Sequence, residues 1–80
     1  MLEELTTKEK VVGIKQVRRL IREGRVRQVY LACDADPWLI QPVEDECRKT
    51  EIPTVTGFTM KQLGHAAGIE VGTAAAALAK

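Results

Sequence analysis

The sequence predicts an α/β layered sandwich in which helices cover both faces of a sheet. Two observations lead to this class. Residues 14–23 carry apolar side chains at helical spacing, and residues 26–33 form a nearly continuous apolar run rich in β-branched and aromatic side chains. Helix and strand patterns then alternate to the end of the chain. Because the chain has 80 residues, the alternation is expected to form one domain, residues 1–80.

The clearest element is the helix predicted over residues 14–23, which follows a short helical segment at residues 3–10 and then Gly13. One face of this helix is apolar and carries Ile14, Val17, Leu20 and Ile21. The opposite face is a basic stripe, because positions i, i+3, i+4 and i+7 are Lys15, Arg18, Arg19 and Arg22. Gly24 is a suitable C-terminal cap.

A buried strand is predicted over residues 26–33, and a second helix is expected to follow it. Asp36 is suited to cap this helix and Pro37 to occupy its first position. The helix should run towards Lys49, with a break and a restart at Pro42. The break is expected because an internal proline removes a backbone hydrogen bond and clashes with the preceding turn.

The last third of the chain repeats the alternation. Residues 52–55 predict a short strand, and Thr59 is suited to cap a helix that ends near Ala67. The alanine-rich tail after Gly72 is helical by intrinsic propensity, because alanine is the best helix former.

The net charge is +1, but the charges are segregated along the chain. Residues 8–28 contain eight basic and two acidic side chains, whereas residues 34–51 contain six acidic and two basic ones. This asymmetry favours a polyanion-facing surface on one part of a nearly neutral molecule. A solvated helix face explains the charge pattern equally well.

Several functional classes are not expected. Cys33 and Cys47 are too few for a disulfide-stapled protein and are predicted to be small buried side chains. His65 is the only histidine, so no metal site is expected. Asp34 and Asp36 lack a partner for acid–base chemistry, and no P-loop or Ser-His-Asp order occurs, so neither catalytic residues nor a cofactor is predicted.

The compartment is also predicted from what the sequence lacks. No stretch approaches the roughly 20 apolar residues that cross a bilayer, and the N-terminus is acidic without an apolar signal core. No membrane partner and a cytoplasmic location are therefore expected.

Four segments carry recognisable motifs, namely residues 13–19 (GIKQVRR), 32–37 (ACDADP), 47–53 (CRKTEIP) and 59–72 (TMKQLGHAAGIEVG). Together they resemble the ribosomal protein L7Ae family, most closely its short bacterial, YbxF-like members. The resemblance extends from about residue 12 to residue 78. It implies a three-layer α-β-α sandwich around a four-stranded mixed sheet, in which residues 73–78 form a strand despite their helical propensity.

The resemblance also implies a function, since the family binds kink-turns. These are sharp RNA bends built on tandem sheared G·A pairs beside a three-nucleotide bulge. The RNA-binding residues expected from the motifs are Gly13, Ile14, Lys15, Gln16, Arg18, Arg19, Arg22, Asp36, Ile69, Glu70 and Val71. The archaeal and eukaryotic branch has Asn-Glu at the positions of Lys15 and Gln16, whereas the bacterial branch has Lys-Gln. Binding is therefore still expected, with an affinity and a sequence preference that differ from those of the first branch.

Individual residues of this set have different expected roles. A glycine before a helix lets phosphates approach its amide groups, and Lys15 and Gln16 suit guanine and adenine edges. Asp36 either accepts a hydrogen bond from an extruded base or caps its helix, and both roles can hold together. Trp38 is predicted to be a partly buried packing side chain, with stacking on a base as the alternative.

The predicted function is therefore recognition of a structured RNA, ribosomal or regulatory, by a monomer. One alternative is a protein-interaction module on the same fold, whose basic stripe meets an acidic partner. A second is a small redox enzyme that uses Cys33 or Cys47, which requires an exposed thiol of low pKa.

Overall fold

The computed structural model describes residues 10–80, which form three helices and four strands. In chain order the elements are β1 (Lys10–Val12), α1 (Ile14–Arg22), β2 (Val26–Ala32), α2 (Pro37–Lys49), β3 (Thr54–Phe58), α3 (Met60–Ala66) and β4 (Ala75–Ala79). The helix predicted over residues 3–10 lies outside the described residues except for Lys10, which belongs to β1. No helix among residues 10–80 is long and apolar enough to span a bilayer.

The four strands form one mixed sheet in the order β1-β4-β2-β3. Strands β2 and β3 are parallel, and β4 is antiparallel to both β1 and β2. The ends of β1, β2 and β3 and the start of β4 therefore meet at one side of the sheet. We call this side the loop edge, and it comprises residues 13–16, 33–38, 59–60 and 69–74.

Helices cover both faces of the sheet, so the predicted three-layer α-β-α sandwich is confirmed. Helices α1 and α2 pack on one face, and α3 packs on the other. Side chains of β2 alternate between the two layers, since Leu31 belongs to the α1/α2 core and Tyr30 to the α3 core. In the same way β4 places Ala77 in the first core and Leu78 in the second.

The alanine-rich segment is a strand, as the family resemblance implied and against its intrinsic propensity. Strand β4 lies between β1 and β2, and Ala76 is in register with both Val12 and Tyr30. Residues 75–78 are fully buried between the helical layers. Strand β2 pairs along the whole of β4 and β1 pairs with residues 76–78, and small side chains let helices approach both faces. Tertiary structure therefore overrides a propensity difference of less than about 1 kcal/mol per residue.

Helix α1 ends as predicted. The Gly24 amide donates to the Ile21 carbonyl and the Arg25 amide donates to the Leu20 carbonyl, both at 3.1 Å. This pair of bonds is the Schellman motif and satisfies carbonyl groups of the last turn. Val17 and Ile21 are buried, while Ile14 and Leu20 pack half-buried beside them.

The predicted break at Pro42 is wrong, because α2 is continuous from Pro37 to Lys49. A proline in the second turn removes only one hydrogen bond, and the buried side chains Ile40, Val43 and Cys47 hold the helix on the sheet. Packing of the apolar face supplies most of a helix's stability in a protein.

Three further predictions need correction. Strand β3 occupies Thr54–Phe58, later than the predicted residues 52–55. Cys33 is exposed because it directly follows the last residue of β2, at the open loop edge, whereas Cys47 is buried as predicted. Trp38 is 72% exposed and not partly buried, because it lies in the first turn of α2 on the side away from the core.

Candidate functional site

The start of α1 is an open helix N-terminus next to the sheet. Gly13 adopts φ 103°, a conformation that side chains rarely take, and its amide donates to the Ala75 carbonyl of β4 at 2.9 Å. A Cβ at this position would also lie 2.9 Å from the Gln16 side-chain oxygen. No side chain caps the helix, and no acidic residue occupies its first turn. The positive end of the helix dipole is therefore available to an anion.

Basic side chains extend along α1 from this open end. Lys15, Gln16, Arg19 and Arg22 line one shallow concavity of the surface. Arg19 also contacts Glu23, with 3.3 Å between Nε and Oε2. Lys15 forms no ion pair within residues 10–80, so its ammonium group is unneutralised at the head of the helix.

Glu46 of α2 forms ion pairs with two arginines of the predicted basic stripe. Its Oε1 lies 2.6 Å from Nε of Arg18, and its Oε2 lies 3.5 Å from Nε of Arg22. The Arg18 side chain is only 35% exposed, while that of Arg22 is 64% exposed. Arg18 therefore points towards α2, and Arg22 lies between Glu46 and the concavity of α1.

The segment after α3 is held close to the helix backbone. The Ile69 amide donates to the Gly64 carbonyl at 3.0 Å, and the Thr73 amide donates to the Met60 carbonyl at 3.1 Å. A Cβ on Gly64 would lie 2.1 Å from the Val71 carbonyl oxygen. Gly64 therefore permits this close approach and acts as a positioning residue. The segment presents Val71, 72% exposed, with Glu70 exposed and Ile69 half-buried.

Sequence reasoning did not single out Gly64 or Asp34 as positioning residues. Asp34 Oδ1 accepts the Met60 amide at 2.8 Å and ties the loop after β2 to the start of α3. The signal for Gly64 was a glycine inside a helical pattern, where the residue costs stability unless close packing requires it. No comparable signal identified Asp34.

Asp36 stands at the N-cap position of α2, as predicted, but its carboxylate accepts no backbone amide of the helix. The side chain is exposed at the loop edge. Asp36 thus stands at the N-cap position without making a capping hydrogen bond, and its carboxylate oxygens can accept from another donor.

The sheet topology brings most of the predicted site residues to the loop edge, namely Gly13, Ile14, Lys15, Gln16, Asp36, Ile69, Glu70 and Val71. Strand β4 links them, because the Gly13 amide donates to the Ala75 carbonyl and the Ala32 amide donates to the Ala74 carbonyl, both at 2.9 Å. The start of α1 and the segment of residues 69–71 thus flank the beginning of β4, and Asp36 follows the adjacent end of β2. Arg18, Arg19 and Arg22 lie further along α1, outside the loop edge, and both Arg18 and Arg22 pair with Glu46 of α2.

The two thiols differ in environment. Burial raises the pKa of the Cys47 thiol from 9.0 to about 11, with smaller contributions from the charges of Glu46 and Glu44. Cys33 is exposed at the loop edge. Among residues 10–80, no group of three or more His, Cys, Asp or Glu side chains is placed to hold a metal ion.

Alkylation of the folded protein with iodoacetamide near pH 8 (about the ordinary pKa of a free thiol) is expected to modify Cys33 and spare Cys47. Cys47 is both inaccessible and, with a pKa of about 11, almost entirely protonated. Mass spectrometry of the native and the urea-unfolded protein measures the difference. Equal labelling of both cysteines in the native state would contradict this environment for Cys47.

The chain matches one protein family over nearly its whole length. The profile of the Ribosomal protein L7Ae/L30e/S12e/Gadd45 family matches residues 2–80, and the chain belongs to this family. The family membership that the sequence motifs implied is therefore confirmed.

Named relatives share most of their length with this chain. An RNA-binding protein of Geobacillus sp. strain WCH70 is 41% identical over 68 residues, which cover 85% of this chain and 83% of the relative. An RNA-binding protein of Caldanaerobacter subterraneus subsp. tengcongensis is 39% identical over 69 residues, covering 86% and 84%. RNA-binding protein YbxF of Geobacillus stearothermophilus is 38% identical over 68 residues, covering 85% and 83%.

Solved structures share the fold at lower identity. The Giardia lamblia 15.5kD RNA binding protein superposes with a TM-score of 0.88 at 23% identity, covering 99% of this chain and 68% of that one. A Bacillus halodurans protein superposes equally well, with a TM-score of 0.88 at 23% identity and coverage of 99% and 83%.

Proposed function

We propose that this protein binds RNA and recognises kink-turns, which are bends built on tandem sheared G·A pairs beside a three-nucleotide bulge. The observation that carries the proposal is the junction at β4. The Gly13 amide at the open N-terminus of α1 bonds to Ala75 at the start of β4, and the segment of residues 69–71 leads into the same strand. A bent RNA presents two surfaces at an angle, and the loop edge offers one protein element to each.

In this proposal the start of α1 contacts the base-paired part of the kink-turn, which contains the G·A pairs. Lys15 can donate to the O6 and N7 acceptors of guanine, and Gln16 suits the edge of adenine. Such edges are hidden in the deep, narrow groove of regular A-form RNA, so these contacts require a distorted helix. Arg19 and the free amide end of α1 then hold backbone phosphates.

In the same proposal residues 69–71 and Asp36 contact the three-nucleotide bulge. Val71 and Ile69 give the segment of residues 69–71 an apolar surface, which suits contact with unstacked bases. Asp36, whose carboxylate does not cap α2, is placed to accept a hydrogen bond from a base amino group. Glu70 is exposed in the same segment and has the same acceptor chemistry.

The partner proposed is a structured RNA, ribosomal or regulatory, that contains such a bend. Several relatives are themselves named RNA-binding proteins, which supports this class of partner. The described part of the chain has two unpaired cysteines, which fit a reducing compartment, and we propose that the protein is cytoplasmic. We also propose that it acts as a monomer.

Titration of the protein with three RNAs tests the proposed function. The first contains a kink-turn, the second has its G·A pairs replaced by Watson–Crick pairs, and the third is a plain duplex of equal length. Tighter binding to the first RNA at every salt concentration is expected, because charge attraction alone does not distinguish the three. Equal affinity for all three would overturn the proposal.

Replacing Glu46 with glutamine is expected to strengthen binding to kink-turn RNA by about twofold to tenfold. The change frees Arg18 and Arg22 from a carboxylate that now neutralises them, at 2.6 and 3.5 Å. Each additional phosphate contact should steepen the dependence of log K on log salt by about one unit. Asp45→Asn is the matched control, because Asp45 pairs with Arg48 on α2 itself. An unchanged salt slope for Glu46→Gln would show that these arginines do not reach the RNA.

A further inference from the structure

Trp38 is the single tryptophan of the chain, and its side chain is 72% exposed at the start of α2. Within residues 10–80, Val71 is the only other large apolar side chain with comparable exposure. Both belong to the loop edge, because Trp38 follows the end of β2 and Val71 precedes the start of β4. Strands β2 and β4 are hydrogen-bonded neighbours, so the two side chains lie at the same end of adjacent strands.

We propose that Trp38 is a stacking platform for one unpaired nucleobase of the bound RNA. This inference rests on the proposed function and extends the interface from α1 and residues 69–71 to the first turn of α2. A flat indole can stack on any base without reading its edge, so the contact adds affinity with little sequence preference.

The charges around Trp38 favour a base over a phosphate. The preceding loop carries the exposed carboxylates of Asp34 and Asp36, which repel a phosphate group. Asp34 is already engaged by the Met60 amide, whereas Asp36 makes no bond to the helix. A base has no formal charge, and its amino group can donate to a carboxylate.

The surroundings of Trp38 also favour a base over a protein partner. A tryptophan that anchors a protein interface is usually ringed by apolar contacts that exclude water. Here the neighbours one turn along α2 are Gln41, which is exposed, and Pro42, which is half-buried, and the exposed residues Asp36 and Pro37 precede Trp38. An exposed aromatic ring without a surrounding set of large apolar side chains matches the pattern of nucleic-acid stacking sites.

Intrinsic fluorescence tests the inference directly, because Trp38 is the only tryptophan. Titration with kink-turn RNA is expected to quench the emission, with a midpoint equal to the Kd from an independent binding assay. Trp38→Ala is expected to bind the same RNA about tenfold more weakly, and Trp38→Phe to retain most of the affinity. Because the side chain is 72% exposed, none of these variants should alter the thermal unfolding temperature appreciably.

Trp38→Leu distinguishes stacking from general apolar contact, since leucine is apolar but has no ring. It should bind as weakly as Trp38→Ala. RNAs that carry an abasic site at each unpaired position in turn should lose the quenching at the nucleotide that stacks.

Constant fluorescence on saturation with kink-turn RNA, undiminished affinity of Trp38→Ala, or full affinity of Trp38→Leu would each overturn the stacking role. Those results leave the preference of the unaltered protein for kinked RNA in place. Loss of that preference is a different outcome, and it would overturn the proposed function itself.

Discussion

Replacing Lys15 with alanine is expected to weaken binding to kink-turn RNA by about tenfold to a hundredfold. A side chain that reads a base edge contributes about 1–3 kcal/mol, and Lys15 stands at the open end of α1 without an ion pair to any of residues 10–80. The substitution should reduce affinity for kink-turn RNA more than affinity for plain duplex, since a base contact carries specificity and a phosphate contact does not. Binding titrations with both RNAs at two salt concentrations measure the effect.

Lys49→Ala is the matched control for Lys15→Ala. Lys49 is an exposed lysine at the end of α2, on the side of the sheet opposite to the loop edge. Its removal deletes the same charge, so only the general electrostatic attraction should change, and the loss should stay below about threefold. Similar losses for the two variants would indicate that binding follows overall charge and not the proposed surface.

Replacing Gly64 with alanine is expected to destabilise the protein by about 1–3 kcal/mol. Helix propensity alone predicts the opposite, because alanine in place of a helical glycine gains about 0.5–1 kcal/mol. The added Cβ would lie 2.1 Å from the Val71 carbonyl oxygen and 3.0 Å from the Gly72 Cα, so the backbone of residues 71–72 must move. Urea denaturation gives the change in unfolding free energy.

The same substitution should weaken kink-turn binding by about tenfold or more under conditions where the protein remains folded, because it displaces Val71 from the loop edge. His65→Ala serves as the stability control. It alters the neighbouring residue of α3, which is exposed, and should change the unfolding free energy by no more than about 0.5 kcal/mol. A stabilised Gly64→Ala variant would contradict the close approach of the two backbones.

The elements that sequence predicted well are those with local causes. The spacing of Val17 and Ile21 determines which face of α1 is buried, and Gly24 stands where the helix ends. Helix α3 begins with a capping box, in which the Gln62 amide donates to Thr59 Oγ1 at 3.1 Å and the Thr59 amide donates to Gln62 Oε1 at 2.8 Å. Such contacts span three residues and can be read from the chain directly.

The elements that sequence predicted poorly depend on distant parts of the chain. Pro42 does not break α2, because the sheet holds the buried face of that helix. Cys33 is exposed because β2 ends just before it, and Trp38 is exposed because the orientation of α2 turns it away from the core. Apolar character by itself does not say which side chain finds a partner.

The sequence by itself determined the α/β layering, the basic face of α1 and the residue types of the proposed RNA surface. Each follows from side-chain periodicity or from motifs that the chain carries in order. Only the tertiary structure decided that Arg18 pairs with Glu46, that Gly64 admits the Val71 backbone, and that an alanine run becomes the strand between the two parts of the proposed site. The reason is physical, because these outcomes depend on groups that are far apart in sequence and that meet only when strand pairing and helix packing form together.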